Sequence, residues 1–181
     1  MSKAKLAIII AVVAVVVIIC GVFAVQSHRN KAIGLEEQIG TAQSNIKVQE
    51  KRRADLIPNL VDCVKQYDKH EYETLLAVVQ ARGSNSDDVA SEIQNAISVV
   101  AEQYPELKSN ENYKQLMTEL SVTENLIAEY RSNYNFQVKN YRGYVQKFPA
   151  RIFLSMTGYE TVDYEYLDYD VSSDAPTNLF D

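Results

Sequence analysis

The chain has 181 residues and a net charge of −6, long enough for one domain with a real core plus appendages. From Tyr159 onward there are seven acids and no Lys or Arg, which leaves residues 1–158 at +1 and offers nucleic acid no basic field. The two cysteines, Cys20 and Cys63, lie in segments of different character, so no intramolecular disulfide is expected and cysteine usage does not fix a compartment.

After a flank at residues 1–5, Leu6 to Val25 (LAIIIAVVAVVVIICGVFAV) carries no charge over twenty residues. A helix of that length covers about 30 Å, the thickness of a bilayer hydrocarbon core. Fourteen of the twenty are Leu, Ile, Val or Phe, which favours insertion by roughly 4–8 kcal/mol. A cleaved signal peptide would have a shorter apolar run and a small-x-small site, and a lipoprotein signal ending at Cys20 would not carry Ile19. The expectation is a single-pass anchor in a cell membrane, with membrane lipid as partner through residues 6–25. Lys3, Lys5 and the free amine on one side, against Arg29 and Lys31 on the other, leave the orientation open.

A helical-bundle domain is expected over residues 26–149. No proline interrupts Gln26 to Arg53, so the membrane helix can run on into a first soluble helix, weakened at Gly34 and Gly40. Asp55, as N-cap, and Pro58, in a first turn, predict a second helix. Its apolar face is Ile57, Leu60, Val61, Val64, Tyr67, Tyr72, Leu75, Leu76 and Val79. Gly83-Ser84-Asn85 breaks it, and Ser86 caps a third helix with the face Val89, Ile93, Ala96, Ile97, Val100, Ala101 and Tyr104, stopped by Pro105.

The fourth segment has the strongest pattern. Tyr113, Leu116, Leu120, Thr123, Ile127, Tyr130, Tyr134, Val138, Tyr141, Val145 and Phe148 follow steps of three and four with one extra four. This near-heptad seam predicts a long helix facing shorter partners, an all-α antiparallel bundle of about four long helices; a free-standing parallel coiled coil is the alternative. Pro149 stops it. Residues 150–158 are a short apolar segment, and residues 159–181 form an irregular acidic tail whose tyrosines also allow it to lie as an extended strip on the bundle.

Nothing in the chain assembles a catalytic set. His70-Glu71 lacks the second His of a zinc helix, and no glycine pattern forms a phosphate loop. Asp62, Asp68 and Glu73 lie off the apolar face and are assigned to solubility, and Cys63 is a packing or boundary residue. Lys51-Arg52-Arg53 meets either an acidic partner, an anionic lipid or, as a helix end, solvent. The expectation is a protein that is not an enzyme, with no catalytic residues, no metal, no cofactor and no nucleic-acid partner.

The motifs RRxDLIPNLV (Arg52 to Val61), HE and AR (His70, Glu71, Ala81, Arg82), YPxLKxNxN (Tyr104 to Asn112), TEN and YN (Thr123 to Asn125, Tyr134-Asn135) resemble those of the LemA family of bacterial membrane proteins. The likeness runs in order from about Ala42 to the C-terminus. Gln43, Lys47 and Leu126 depart from it, standing where the family has Trp, Asp and a basic residue. The resemblance implies an N-terminal single-span anchor and a long-helix bundle, and supplies no reaction; relatives are linked to magnetosome membranes and to antigens of pathogenic bacteria.

The leading expectation is a membrane-anchored interaction or scaffold module with an unknown protein partner, and self-association is left open. Its candidate interaction residues are Arg52, Arg53, Asp55, Pro58, Asn59, His70, Glu71, Arg82, Thr123, Glu124, Asn125, Tyr134 and Asn135. The competing explanation is that they set caps and helix register, with Glu124 or Asn125 pairing to a basic residue of a neighbouring helix. The alternative function is lipid binding or membrane remodelling, in which Arg151, Ile152, Phe153, Leu154 and Met156 lie near the membrane.

Overall fold

The computed structural model describes residues 3–82 and 87–168, and the described residues form six helices and no strand. With no proline before position 58, nothing breaks the first helix. Helix α1 runs Lys3–Val64 through the apolar run and far beyond it. From Ile8 to Phe23 its side chains are exposed, and the stretch is apolar and long enough to cross a membrane. Further on, Ala32, Ile39, Ile46, Arg53 and Leu60 are all buried, at steps of seven along one face.

The helix predicted to start at Asp55 does not start there, because Pro58 lies inside α1. Asp55 pairs with Lys51 at 3.2 Å on the exposed side, and its carbonyl accepts a bond from the Asn59 side chain at 2.8 Å. A proline inside a helix costs about 3 kcal/mol. Leu56, Ile57, Leu60, Val61 and Val64 are all buried, and five such aliphatics return on the order of 10 kcal/mol. Burial of that face therefore outweighs the break that the proline invites.

Helix α2 (Lys69–Arg82) starts thirteen residues later than expected, at a cap made by Asp68: Oδ1 accepts from the Glu71 amide at 3.0 Å and the carbonyl from Tyr72 at 3.1 Å. The break at Gly83-Ser84-Asn85 and the Ser86 cap lie outside the described residues. Helix α3 (Asp87–Gln103) buries Val89, Ile93, Ile97, Val100 and Ala101. Pro105 both ends it and opens the short α4 (Pro105–Ser109), where a missing N–H costs no helical bond. Asn110 then caps α5 (Glu111–Gln146), its Oδ1 accepting from the Tyr113 amide at 3.1 Å.

Of the predicted seam on α5, Tyr113, Leu120, Thr123, Ile127, Tyr134, Val138, Tyr141 and Val145 are buried, and Leu116 and Tyr130 half-buried. Phe148 is not part of it. The helix ends at Gln146 and the chain turns, leaving Phe148 82% exposed. Helix α6 (Ala150–Met156) follows and buries Ala150 and Leu154. Gly158, at φ 65°, supplies the left-handed residue that ends α6, and the Tyr159 amide bonds back to Leu154 O at 3.2 Å. The chain then continues without regular structure to Asp168.

The chain divides into two compact units, both containing parts of α1 and α5: unit 1 is residues 1–39 with 134–181, and unit 2 is residues 40–133. In unit 2 the pairs Glu50–Arg131, Arg53–Glu124 and Arg52–Glu119 show α1 and α5 antiparallel. In unit 1 His28–Tyr144 and Glu36–Tyr141 show the same. Unit 2 is built on one aliphatic cluster drawn from α1, α2, α3, α4 and α5.

Candidate functional site

The signature residues of unit 2 separate into a closed set and an open one. Arg53 sits at a heptad core position, fully buried, with Nη1 3.3 Å from Glu124 Oε2. Thr123, also fully buried, donates to the Glu119 carbonyl at 2.8 Å. Arg52 reaches Glu119 at 3.4 Å, and Arg131 reaches Glu50 at the same distance. The basic cluster is therefore in mid-helix, facing acids of the same fold, and not a solvated helix end. Arg53 and Thr123 are enclosed by their own chain, as is Tyr134 in unit 1, so these side chains sit inside the fold.

The open set lines a cleft of about 440 Å³ between the end of α1 and the start of α5. From α1 and the turn after it come Asn59, Asp62, Cys63, Gln66 and Tyr67; from α5 and its cap come Asn110, Asn112, Gln115 and Leu116. Five amide side chains line one space. Asn59 donates to the Asp55 carbonyl, Asn110 Oδ1 caps α5 and Gln115 donates to Glu119 at 3.2 Å. Each amide has a second donor hydrogen and a second acceptor lone pair beyond these bonds. Burial, and then the Asp62 carboxylate, push the Cys63 thiol above its ordinary pKa, so it is held protonated and is a poor nucleophile. Asp62, assigned to solubility, lines the cleft. Asp68, assigned likewise, caps α2 and accepts from the Tyr104 hydroxyl at 3.3 Å.

Among the other candidates, His70 and Asn125 are exposed, and Glu71 is half-buried with its amide held by Asp68. Asp55 and Pro58 lie on the exposed side of α1, and the Arg82 side chain is outside the described residues. Asn135 belongs to unit 1, where it exchanges two bonds with the Leu167 backbone, at 2.7 and 2.8 Å. Among the described residues no group of three His, Cys, Asp or Glu side chains is placed to hold a metal ion.

Unit 1 holds a different polar cluster. Glu36 Oε1 accepts from Tyr141 at 2.9 Å and from Tyr159 at 2.5 Å, and the Val162 amide donates to the Tyr141 hydroxyl at 3.1 Å. Tyr164 sits edge-on to Tyr141, and Arg142 pairs with Asp163. The tail thus lies as an extended strip as far as Asp168. Burial raises the pKa of Tyr141, Tyr159 and Tyr164, helped at Tyr159 by its bond to Glu36. At the other end of the unit, His28 bonds the Tyr144 hydroxyl at 2.6 Å and stacks on Phe153, with ring centroids 5.0 Å apart. Of the membrane-proximal candidates, Arg151, Ile152 and Met156 are exposed and Phe153 is half-buried. Leu154 is only 2% exposed, which removes it from any outward-facing set: as a residue of the inner face of α6, it packs into the unit.

The tyrosine–carboxylate cluster was not among the sequence candidates, and of the residues lining the amide cleft only Asn59 was. Asn110 and Asn112 did stand in the YPxLKxNxN motif, which was a usable signal. Nothing local to Glu36 distinguishes it from the solvated Glu37 beside it.

A family model described as LemA family matches residues 42–178. Protein LemA of Metamycoplasma hominis is 30% identical over 138 residues, covering 70% of this chain and 63% of that one. Two magnetosome proteins, MamQ 2 of Paramagnetospirillum magneticum and MamQ of Magnetospirillum gryphiswaldense, are 34% and 32% identical over 68 residues, 38% of this chain and 25% of each. The matches thus span less than two thirds of these relatives' own lengths.

Proposed function

The chain belongs to the LemA family, and on that premise we propose that it is a single-pass, membrane-anchored, non-enzymatic interaction module of a bacterial cell membrane, whose partner face is the amide-lined cleft of unit 2. The observation that carries this reading is the convergence of Asn59, from the DLIPNLV motif, with Asn110 and Asn112, from the KSNEN motif, on one open cleft. The aliphatics of the DLIPNLV motif, Leu56, Ile57, Leu60 and Val61, are by contrast buried in the fold. Amides that both donate and accept suit the main chain of an extended peptide, which needs both at every residue. The exposed apolar stretch Ile8–Phe23 supports the anchor. A protonated Cys63, beside the Asp62 carboxylate and with no histidine in the cleft lining, supports a binding role over acyl transfer.

A photo-crosslinking amino acid at Gln66 or Asn112 of the full chain, in native membranes, is expected to trap a discrete protein; the same group at exposed Asn125 is not. No discrete product from either cleft position would sink the reading. Retention in the membrane after alkaline carbonate extraction tests the anchor, and release would remove it.

A second reading, contact with the membrane surface by unit 1, is supported by Phe148, Ile152 and Met156. They are 82%, 51% and 71% exposed beside Arg151. Phe153 of the same helix stacks on His28, three residues past Val25, so α6 lies beside the end of the apolar stretch.

A further inference from the structure

Unit 1 contains a cleft of about 500 Å³ whose charges are all of one sign. Lys31 of α1 and Lys139 and Lys147 of α5 line it, with Asn140 and Tyr144, and no carboxylate is among its lining residues. All three lysines are exposed, and Lys31 Nζ lies 4.8 Å from the Tyr144 ring centre, which holds it at the cleft wall. The Tyr144 hydroxyl is in turn fixed by His28 at 2.6 Å.

The position of this cleft along α1 gives it a meaning. Lys31 comes six residues after Val25, where the apolar run ends, which is about 9 Å along the helix axis. The headgroup layer reaches about 5–7 Å beyond the hydrocarbon, and lysine stems extend toward it. Three lysines lining one cleft that begins at that depth match a phosphodiester that carries one full negative charge and several acceptor oxygens. Phe148, next to Lys147, is exposed and apolar, as a residue bordering acyl chains would be.

We propose that the Lys31–Lys139–Lys147 cleft binds the headgroup phosphate of an anionic phospholipid in the same bilayer that holds α1. This rests on the anchored, membrane-contacting reading of unit 1 and names its ligand. The lipid fixes unit 1 against the membrane surface at a point beside the anchor, so that a single spanning helix gains a second attachment.

The full chain is reconstituted into vesicles of phosphatidylcholine containing about one third phosphatidylglycerol, and spin-labelled forms of each lipid report which is immobilised by the protein. The wild-type chain is expected to immobilise the phosphatidylglycerol probe in preference to the phosphatidylcholine probe. The variant K31Q/K139Q/K147Q loses that preference, with a decrease of up to about fivefold for each lysine. K139Q alone, at an exposed position, gives a partial loss with helix content unchanged. Equal immobilisation of both probes by the wild type would overturn the proposal, as would an undiminished preference in the triple variant. An equal loss in K108Q/K114Q, in unit 2, would reduce it to bulk charge and also overturn it. Abolition of the preference by inorganic phosphate, at matched ionic strength, would assign the cleft to a soluble anion instead. Carbonate extraction of the same vesicles separates the two ideas: if the chain is released, the anchor and this site fall together, whereas retention without lipid preference removes the site alone.

Discussion

The same two helices are held by different physics in the two units. In unit 2, α1 and α5 close on an aliphatic cluster that includes Leu60, Val64, Ile93, Ile97 and Leu120, with one buried cation at Arg53. In unit 1 the junction carries hydroxyls and a shared carboxylate: Glu36, Tyr141 and Tyr159, with the tail backbone joining through Val162 and Leu167. Apolar burial is roughly proportional to area and has no preferred direction, whereas a hydrogen bond is directional and contributes only about 1 kcal/mol net. Unit 2 should therefore respond to lost volume, and unit 1 to lost hydroxyls and to pH.

Hydrogen exchange read separately over the two units can break this contrast. The largest effect is expected from Leu60→Ala, at a fully buried position, with a cost of about 2–5 kcal/mol and lost protection confined to unit 2. Equal loss in unit 1 would mean that the units share one cooperative core. Arg53→Ala comes next: it removes the buried partner of Glu124, whose side chain is 34% exposed, so a cost of about 2–4 kcal/mol is expected. Arg53→Met restores part of it by keeping the stem's packing. If Met is no better than Ala, charge rather than volume governs that position, against the contrast drawn above.

Unit 1 should yield to smaller chemical changes. Tyr159→Phe is expected to cost about 1 kcal/mol, leaving Tyr141 as a donor to Glu36, and to expose residues 159–168 to proteolysis without altering unit 2. Alkaline pH should act in the same direction. The folded-state pKa values of Tyr141, Tyr159 and Tyr164 are raised, so their stabilisation is complete below the ordinary tyrosine value of about 10 and fades as pH rises toward the folded values. Tail release below about pH 9, or none on titration above about pH 10, would contradict this. The smallest effect is expected at Asp68, whose pKa is lowered by the Glu71 amide. Its capping contribution is present above the ordinary carboxylate value near 4 and is lost as pH falls through the lower folded value. Asp68→Ala should mimic the acid state, with faster exchange at Glu71 and Tyr72 alone.

Much of this architecture could be read along the chain, and its errors have definite causes. The seam from Tyr113 to Val145 was legible because steps of three and four identify a face without knowledge of its partner. Asp55 and Pro58 carried the marks of a helix start, but local capping is worth about 1 kcal/mol against burial of the whole Leu56–Val64 face. The true start had its own sign, since Asp68-Lys69-His70-Glu71 has the spacing of a capping box. The heptad positions of α1 were hidden because Ala32 and Arg53 occupy two of them, and neither residue type marks a core.

The candidate site was legible only as motifs. Asn59 and Asn112 are far apart in sequence, and no periodicity connects them; the antiparallel pairing of α1 with α5 in unit 2 brings them to one cleft. The same holds for Glu36 and Tyr159 in unit 1.

By itself, then, the sequence determined the properties that depend on local pattern and composition: an apolar stretch of membrane-spanning length, an all-α fold class, and the faces that must be buried. These follow from hydropathy and from the 3.6-residue turn, which act within one segment. Tertiary structure decided which polar residues were enclosed and which stayed open, Arg53 and Thr123 against Asn59 and Asn112. That choice depends on what lies across the helix interface, because desolvation and hydrogen-bond satisfaction are set by neighbours in space and not by neighbours in the chain.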